Sequence, residues 1–143
     1  MLMKTLQFTC KTLVLLLAVV VVSSCQSTDK IKFKRIDQVE IDQFNASLQK
    51  VEIKDLEELA RLYLPDDPYA EGNYKYTTSV EENKGKTILT IREEGINDDS
   101  IEGKLVKLTV EKKENSWHIL QIEEAHRCWS GRGQQDWSPE PCQ

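Results

Sequence analysis

Leu13 to Val22 is an uninterrupted apolar run of ten residues near the start of the chain, and patterned segments follow it. Ile41, Phe44, Leu48 and Val51 recur at helical spacing, whereas Val51-Glu52-Ile53-Lys54 alternates as a strand does; the spacing predicts a helix over 37–49. Asp55 can cap a second helix, and Glu58 three residues later completes a capping-box-like pair. Leu56, Leu59, Ala60 and Tyr63 give that helix one apolar stripe, and Pro65 ends it because the residue before a proline avoids the helical region. Pro65-Asp66-Asp67-Pro68 reads as a stiff acidic loop. After Gly72 the period falls to two. Tyr74, Tyr76, Thr78 and Val80 form an inward row, continued by Leu89 and Ile91, then by Val106, Leu108 and Val110, then by Leu120 and Ile122, with Trp117 and Ile119 on the opposite face. Turns are expected at Asn83-Lys84-Gly85 and over Lys113 to Ser116, with a longer polar connection from Gly95 to Gly103.

Four strands in a meander with one apolar face need a cover, and the one or two preceding helices are the available one. The expected class is α+β: N-terminal helices on a four-stranded antiparallel sheet. The arrangement resembles the cystatin-like and NTF2-like folds, in which an N-terminal helix crosses a curled sheet. That resemblance implies a shape and no activity.

A membrane-spanning helix needs about 20 apolar residues, so a run of ten behind Lys4 and Lys11 reads as a secretory signal. Val22-Ser23-Ser24-Cys25 resembles the lipobox of bacterial lipoprotein precursors. The resemblance implies removal of residues 1–24 and lipidation of Cys25, with acyl chains anchoring the protein on a membrane. Gln26 and Ser27 lack the early aspartate that signals inner-membrane retention in some such proteins, which leans toward an outer membrane. Residues 25–35 then read as a lipidated tether and 36–143 as one domain.

Loss of Lys4 and Lys11 with the signal takes the net charge from −5 to about −7. That balance disfavours nucleic acid as a partner. Lys30, Lys32, Lys34 and Arg35 form the one basic stretch, placed to touch anionic headgroups or simply to be solvated. Asn45-Ala46-Ser47 is a formal glycosylation sequon, set aside for a bacterial protein. Among the cysteines, the resemblance implies that Cys10 leaves with the signal and that Cys25 is lipidated. Cys128 and Cys142 remain, and in an oxidising compartment they are expected to pair and close the segment 127–143 into a stapled tail.

That tail holds Trp129 and Trp137, with Arg132 between Gly131 and Gly133, and Asp136 beside Trp137. Aromatic and arginine side chains are enriched at binding hot spots, so Trp129, Arg132, Asp136 and Trp137 form the candidate surface for a glycan, an anionic headgroup or an envelope protein. The alternative is that the tryptophans cap an open end of the sheet, with Arg132 paired to Asp136 or to a carbonyl. Asp98-Asp99-Ser100-Ile101, a strand pair and the tail pattern Arg-Cys-x-x-Gly-Arg-Gly-x-x-Asp-Trp-Ser-x-Glu-x-Cys together resemble a group of small exported bacterial proteins. The likeness covers roughly residues 72–142 and implies an exported domain without implying an activity.

No nucleophile elbow, zinc-binding helix motif or P-loop is present, and no cofactor, catalytic or metal-ligating set is assigned. His118 and His126, eight residues apart on one predicted strand, would stand roughly 26 Å from each other. Asp66, Asp67, Asp98 and Asp99 lack the spaced ligands of an EF-hand loop. The reading is a membrane-anchored envelope protein that works by binding or structural association. The alternatives are an inhibitor of a cell-wall hydrolase such as a lysozyme, and an NTF2-like enzyme. The last requires an ionisable group in the sheet's concavity, and the inward row Tyr74, Tyr76, Val80, Leu89, Ile91, Val106, Leu108, Val110 supplies none.

Overall fold

A computed structural model describes residues 31–114 and 116–143. The segment expected to be a signal peptide, Cys25 and most of the expected tether lie outside the described residues. The chain runs β1 (Lys34–Arg35), α1 (Gln38–Leu48), α2 (Leu56–Tyr63), β2 (Lys75–Asn83), β3 (Lys86–Glu94), β4 (Ile101–Lys113) and β5 (Ser116–Cys128). Both helices start where a side-chain oxygen meets an unpaired amide. Asp37 accepts from Val39 N at 2.9 Å, and Asp55 accepts from Glu58 N at 2.8 Å. Glu58 closes the second cap by reaching back to Lys54 N at 2.9 Å, one residue earlier than a standard capping box. Leu64, held extended before Pro65, ends α2.

The sheet has five strands, not the expected four, in the order β1-β5-β4-β3-β2, every neighbouring pair antiparallel. The extra strand falls inside the segment expected to be tether: Lys34 pairs with Glu124 and Arg35 with Glu123. Two charged residues carry no periodicity, and it is the open edge of β5 that recruits them. The expected loop from Gly95 to Gly103 is also shorter, because β4 begins at Ile101.

The largest departure is in β5. Thr109 pairs with Gln121 and Val110 with Ile119, which leaves Leu120 without a partner. One extra residue reverses the alternation. Ile119 therefore joins Ile122 in the core, Trp117 packs against it, and Leu120, expected to point inward, is displaced. Asn45 holds the bulge: Nδ2 donates to Ile119 O at 2.8 Å, and Ile119 N donates to Oδ1 at 2.9 Å.

Leu89, Ile91, Val106, Leu108 and Val110 are buried as their alternation predicts, with Ile41, Leu48, Leu59 and Ala60 of the helix layer. Phe44 and Tyr63 join α1 to α2 edge-to-face, with ring centroids 5.3 Å apart. The cover stops short of β2. α1 lies against β5 and α2 against β3, so Val80, expected inward, stays 51% exposed.

A second, smaller layer lies on the other face. Leu105 and Ala125 are buried there. Trp137 packs on Gly103, where a Cβ would come within 2.9 Å of the indole, and Arg92 and Arg127 sit 5.4 and 5.0 Å from its ring centre. Cys128 and Cys142 are joined as expected, with Cα atoms 5.6 Å apart.

Candidate functional site

The disulfide turns the C-terminus into a platform. Cys128 N donates to Gln134 O, Arg132 N to Trp129 O and Gln143 N to Arg132 O, all within 2.9 Å. Gln135 Nε2 lies within hydrogen-bonding reach of the carbonyls of Cys128, Gly133 and Trp129. Gly133 has φ 144°, and a Cβ on it would lie 2.8 Å from Cys128 Sγ, so the staple closes only over glycine. Ser138 pairs with His126 through two main-chain bonds, and Ser100 Oγ donates to the carbonyl of Gln143 at 3.0 Å.

The four tail residues named above do not form one surface. Trp137 is half-buried on the face of the sheet at Gly103. It and Asp136 line a hollow of about 710 Å³ with Arg127, Gln135, Glu140 and Lys32. Arg132 is exposed near the tip of the loop, and the described ion pairs do not include Arg132 with Asp136. Trp129 lines a different groove, of about 380 Å³, with Tyr69, Glu71, Asn73 and Asn97. Its indole N–H donates to Asp98 O at 2.8 Å and its amide to Ser100 O at 2.8 Å, yet the residue stays 38% exposed. Tyr69, 88% exposed, escaped the sequence reading; an aromatic directly after the rigid Pro65–Pro68 loop was the available signal.

Of the four loop acids weighed against an EF-hand pattern, Asp67 and Asp98 serve the backbone. Asp67 accepts from Tyr69 N, and Asp98 accepts from Ser100 N and Ile101 N. The bond from Ile101 N, then that from Ser100 N, holds the Asp98 carboxyl below the usual carboxylate range. Asp66 lies 3.6 Å from the Arg61 guanidinium.

The helix-covered face also holds ionisable groups that the sequence reading missed. Tyr76, Glu93, Lys104 and His126 stand side by side across four strands. This corrects the expectation of an inward row without a carboxylate or histidine, which had stopped at Ile91 on β3 and begun at Val106 on β4. Lys104, Glu124 and His126 line a hollow of about 430 Å³ with Tyr63 and Leu64. The β5 bulge also places His118, opposite Glu111, on the face away from His126, opposite Lys104. His126 Nε2 lies 2.7 Å from Glu140 O.

Tyrosines anchor the carboxylates in this region. Tyr63 OH donates to Glu124 Oε1 at 2.6 Å, Tyr74 OH to Glu93 Oε1 at 2.9 Å, and Tyr76 OH to Leu64 O at 2.8 Å. Glu93 is only 4% exposed. Burial, and then the bond to Glu124, raises the Tyr63 phenol; burial raises Tyr74; burial pushes Tyr76 up to about 12. A phenol whose folded pKa lies above the unfolded value of about 10 binds more protons in the native state. Its contribution to stability is complete below pH 10 and is lost as pH rises through the folded values. The denaturation midpoint should therefore fall as pH rises from 10 to 12, and fall less for Tyr63→Phe. Equal losses in the two proteins would remove Tyr63 from this account.

No family model, curated protein or solved structure matches the chain.

Proposed function

We propose that this is a lipid-anchored envelope protein, held through Cys25, whose exported domain binds a glycan in the groove between Tyr69 and Trp129. The observation that carries the proposal is Trp129. A large indole is left open to water while two hydrogen bonds and the stapled loop fix its orientation. Preorganisation of that kind lowers the cost of binding. The electron-rich aromatic face attracts the weakly positive C–H groups of a sugar ring, and Asn73, Asn97 and Glu71 offer partners for hydroxyls. The disulfide suits the oxidising side of a membrane. The address itself rests on Leu13 to Cys25. The cystatin-like or NTF2-like resemblance belongs to the same proposal, since helices cover one face of the sheet and leave end loops free for a ligand.

The test is cosedimentation of the detergent-solubilised full chain with purified peptidoglycan. Trp129→Ala should weaken binding about tenfold or more, a hot-spot loss, with its melting temperature close to the parent's. Cys25→Ala should bind equally well while leaving the membrane fraction. Equal binding by the Trp129 variant would remove the groove from the account. Absence of peptidoglycan binding, with lysozyme inhibition that Arg132→Ala abolishes, would turn the function to hydrolase inhibition. The exposed Arg132 on a stapled loop suits that alternative, because it could enter the carboxylate pair of a muramidase.

A further inference from the structure

Among the described residues β2 is an uncovered edge of the sheet, opposite the short β1; it is nine residues long, and every residue in it except Tyr76 is exposed. Natural edges are protected by shortness, proline, bulges or a covering element. β2 has no proline, its register with β3 is unbroken from Lys75–Glu94 to Asn83–Lys86, and the helices stop short of it. Its remaining protection is charge: Lys75, Glu81 and Glu82.

Those charges are placed so that they select a partner. Lys84 and Gly85 both have positive φ, 51° and 76°, as a two-residue type I′ hairpin turn requires. Asn83 and Lys86 therefore close the turn as a hydrogen-bonded pair. Alternation along the strand then directs the amides and carbonyls of Lys75, Thr77, Ser79 and Glu81 toward β3. Those of Tyr76, Thr78, Val80 and Glu82 face open solvent. A second β2 can meet them antiparallel about a two-fold axis. With the axis at Thr78, Tyr76 faces the partner's Val80 and Lys75 faces the partner's Glu81, each twice. The apolar pairs fall on the helix-covered face and the ion pairs on the other. With the axis at Ser79, Lys75 faces the partner's Asn83 and no ion pair forms directly across. With the axis at Glu81, that carboxylate faces its own copy.

We infer that β2 is the contact of a two-fold homodimer that continues the sheet antiparallel through Thr78, giving ten strands. An isologous edge contact of this kind closes on itself and leaves the partner's two-residue β1 as the outer edge.

The test is sedimentation of the detergent-solubilised full chain. The parent should be a dimer. Lys75→Glu and Glu81→Lys should each weaken it about tenfold or more, by setting like charges opposite each other. The double variant K75E/E81K should restore it. Within one strand the two positions are about 20 Å apart, so restoration has to act between chains. Thr78→Cys should form a reductant-sensitive dimer more readily than Ser79→Cys, because paired Cα atoms at the axis lie about 5.5 Å apart, within disulfide range. A monomeric parent, a dimer indifferent to both reversals, failure of the double variant to restore it, or preferential crosslinking at Ser79 would each overturn the proposal.

Discussion

Asn45→Ala should destabilise the domain by about 3 kcal/mol, because two buried main-chain groups lose their partner at once. Asn45 is 7% exposed, and its amide grips both the N–H and the C=O of Ile119, at 2.9 and 2.8 Å. It stands beside the strand at the point where β1 has ended, since the last main-chain bond from that side is Ile36 N to Ile122 O. A side-chain amide thus does for Ile119 what a neighbouring strand would do. Each buried group left unpaired costs roughly 1–3 kcal/mol, well above the median surface substitution. For a domain of this size the melting temperature should fall by roughly 12 °C. Asn45→Asp should also be costly, because it keeps the acceptor for Ile119 N and sets a carboxylate against Ile119 O. A loss below about 1 kcal/mol for the alanine variant would mean that water replaces the amide. The same geometry closes the sequon, since a glycan on Nδ2 would have to occupy a buried atom already committed to the fold.

Replacing both Cys128 and Cys142 with serine should cost about 3 kcal/mol, the chain-entropy value for a loop of about 15 residues. The expected loss is larger near the tail than elsewhere. Cys128 ends β5 and is buried, whereas the segment from Ser130 to Cys142 is held mainly by turn bonds and by the pairing of Ser138 with His126. Hydrogen exchange should accelerate first at the amides of Cys128 and Ser138, followed by loosening of Trp137 from Gly103. Trp129 would lose its orientation with the loop, so the variant should bind peptidoglycan less well while its helices remain. A denaturation midpoint unchanged by reduction would show that the loop holds without its staple.

Local signals were legible wherever the responsible physics spans a few residues. Asp55 caps α2 because its oxygen reaches the amide three positions on. Pro65 ends α2, and Lys84-Gly85 turns β2 into β3. Leu89, Ile91, Leu108 and Val110 are buried because alternation on a half-covered sheet leaves them one choice. The Cys128–Cys142 pair was expected from the cysteine count and the oxidising compartment that the apolar run implies. These features were determined by the sequence alone: an α+β chain with two helices ahead of an antiparallel meander, and a stapled end.

Tertiary structure decided the rest, because the deciding contacts join distant residues. The Leu120 bulge is set by register against β4 and by Asn45, more than 70 residues earlier, and it reverses which side of β5 enters the core. Lys34 and Arg35 become a strand only because β5 has an edge to offer. Glu93 and Lys104 stand next to each other with His126 because three strands align, and no spacing along the chain announces that row. The candidate tail surface was divided the same way. Gly103 makes room for Trp137 against the sheet, while the carbonyl of Asp98 holds Trp129 out toward Tyr69. Two tryptophans eight residues apart in one loop thus take opposite roles, because each is placed by the part of the fold it meets.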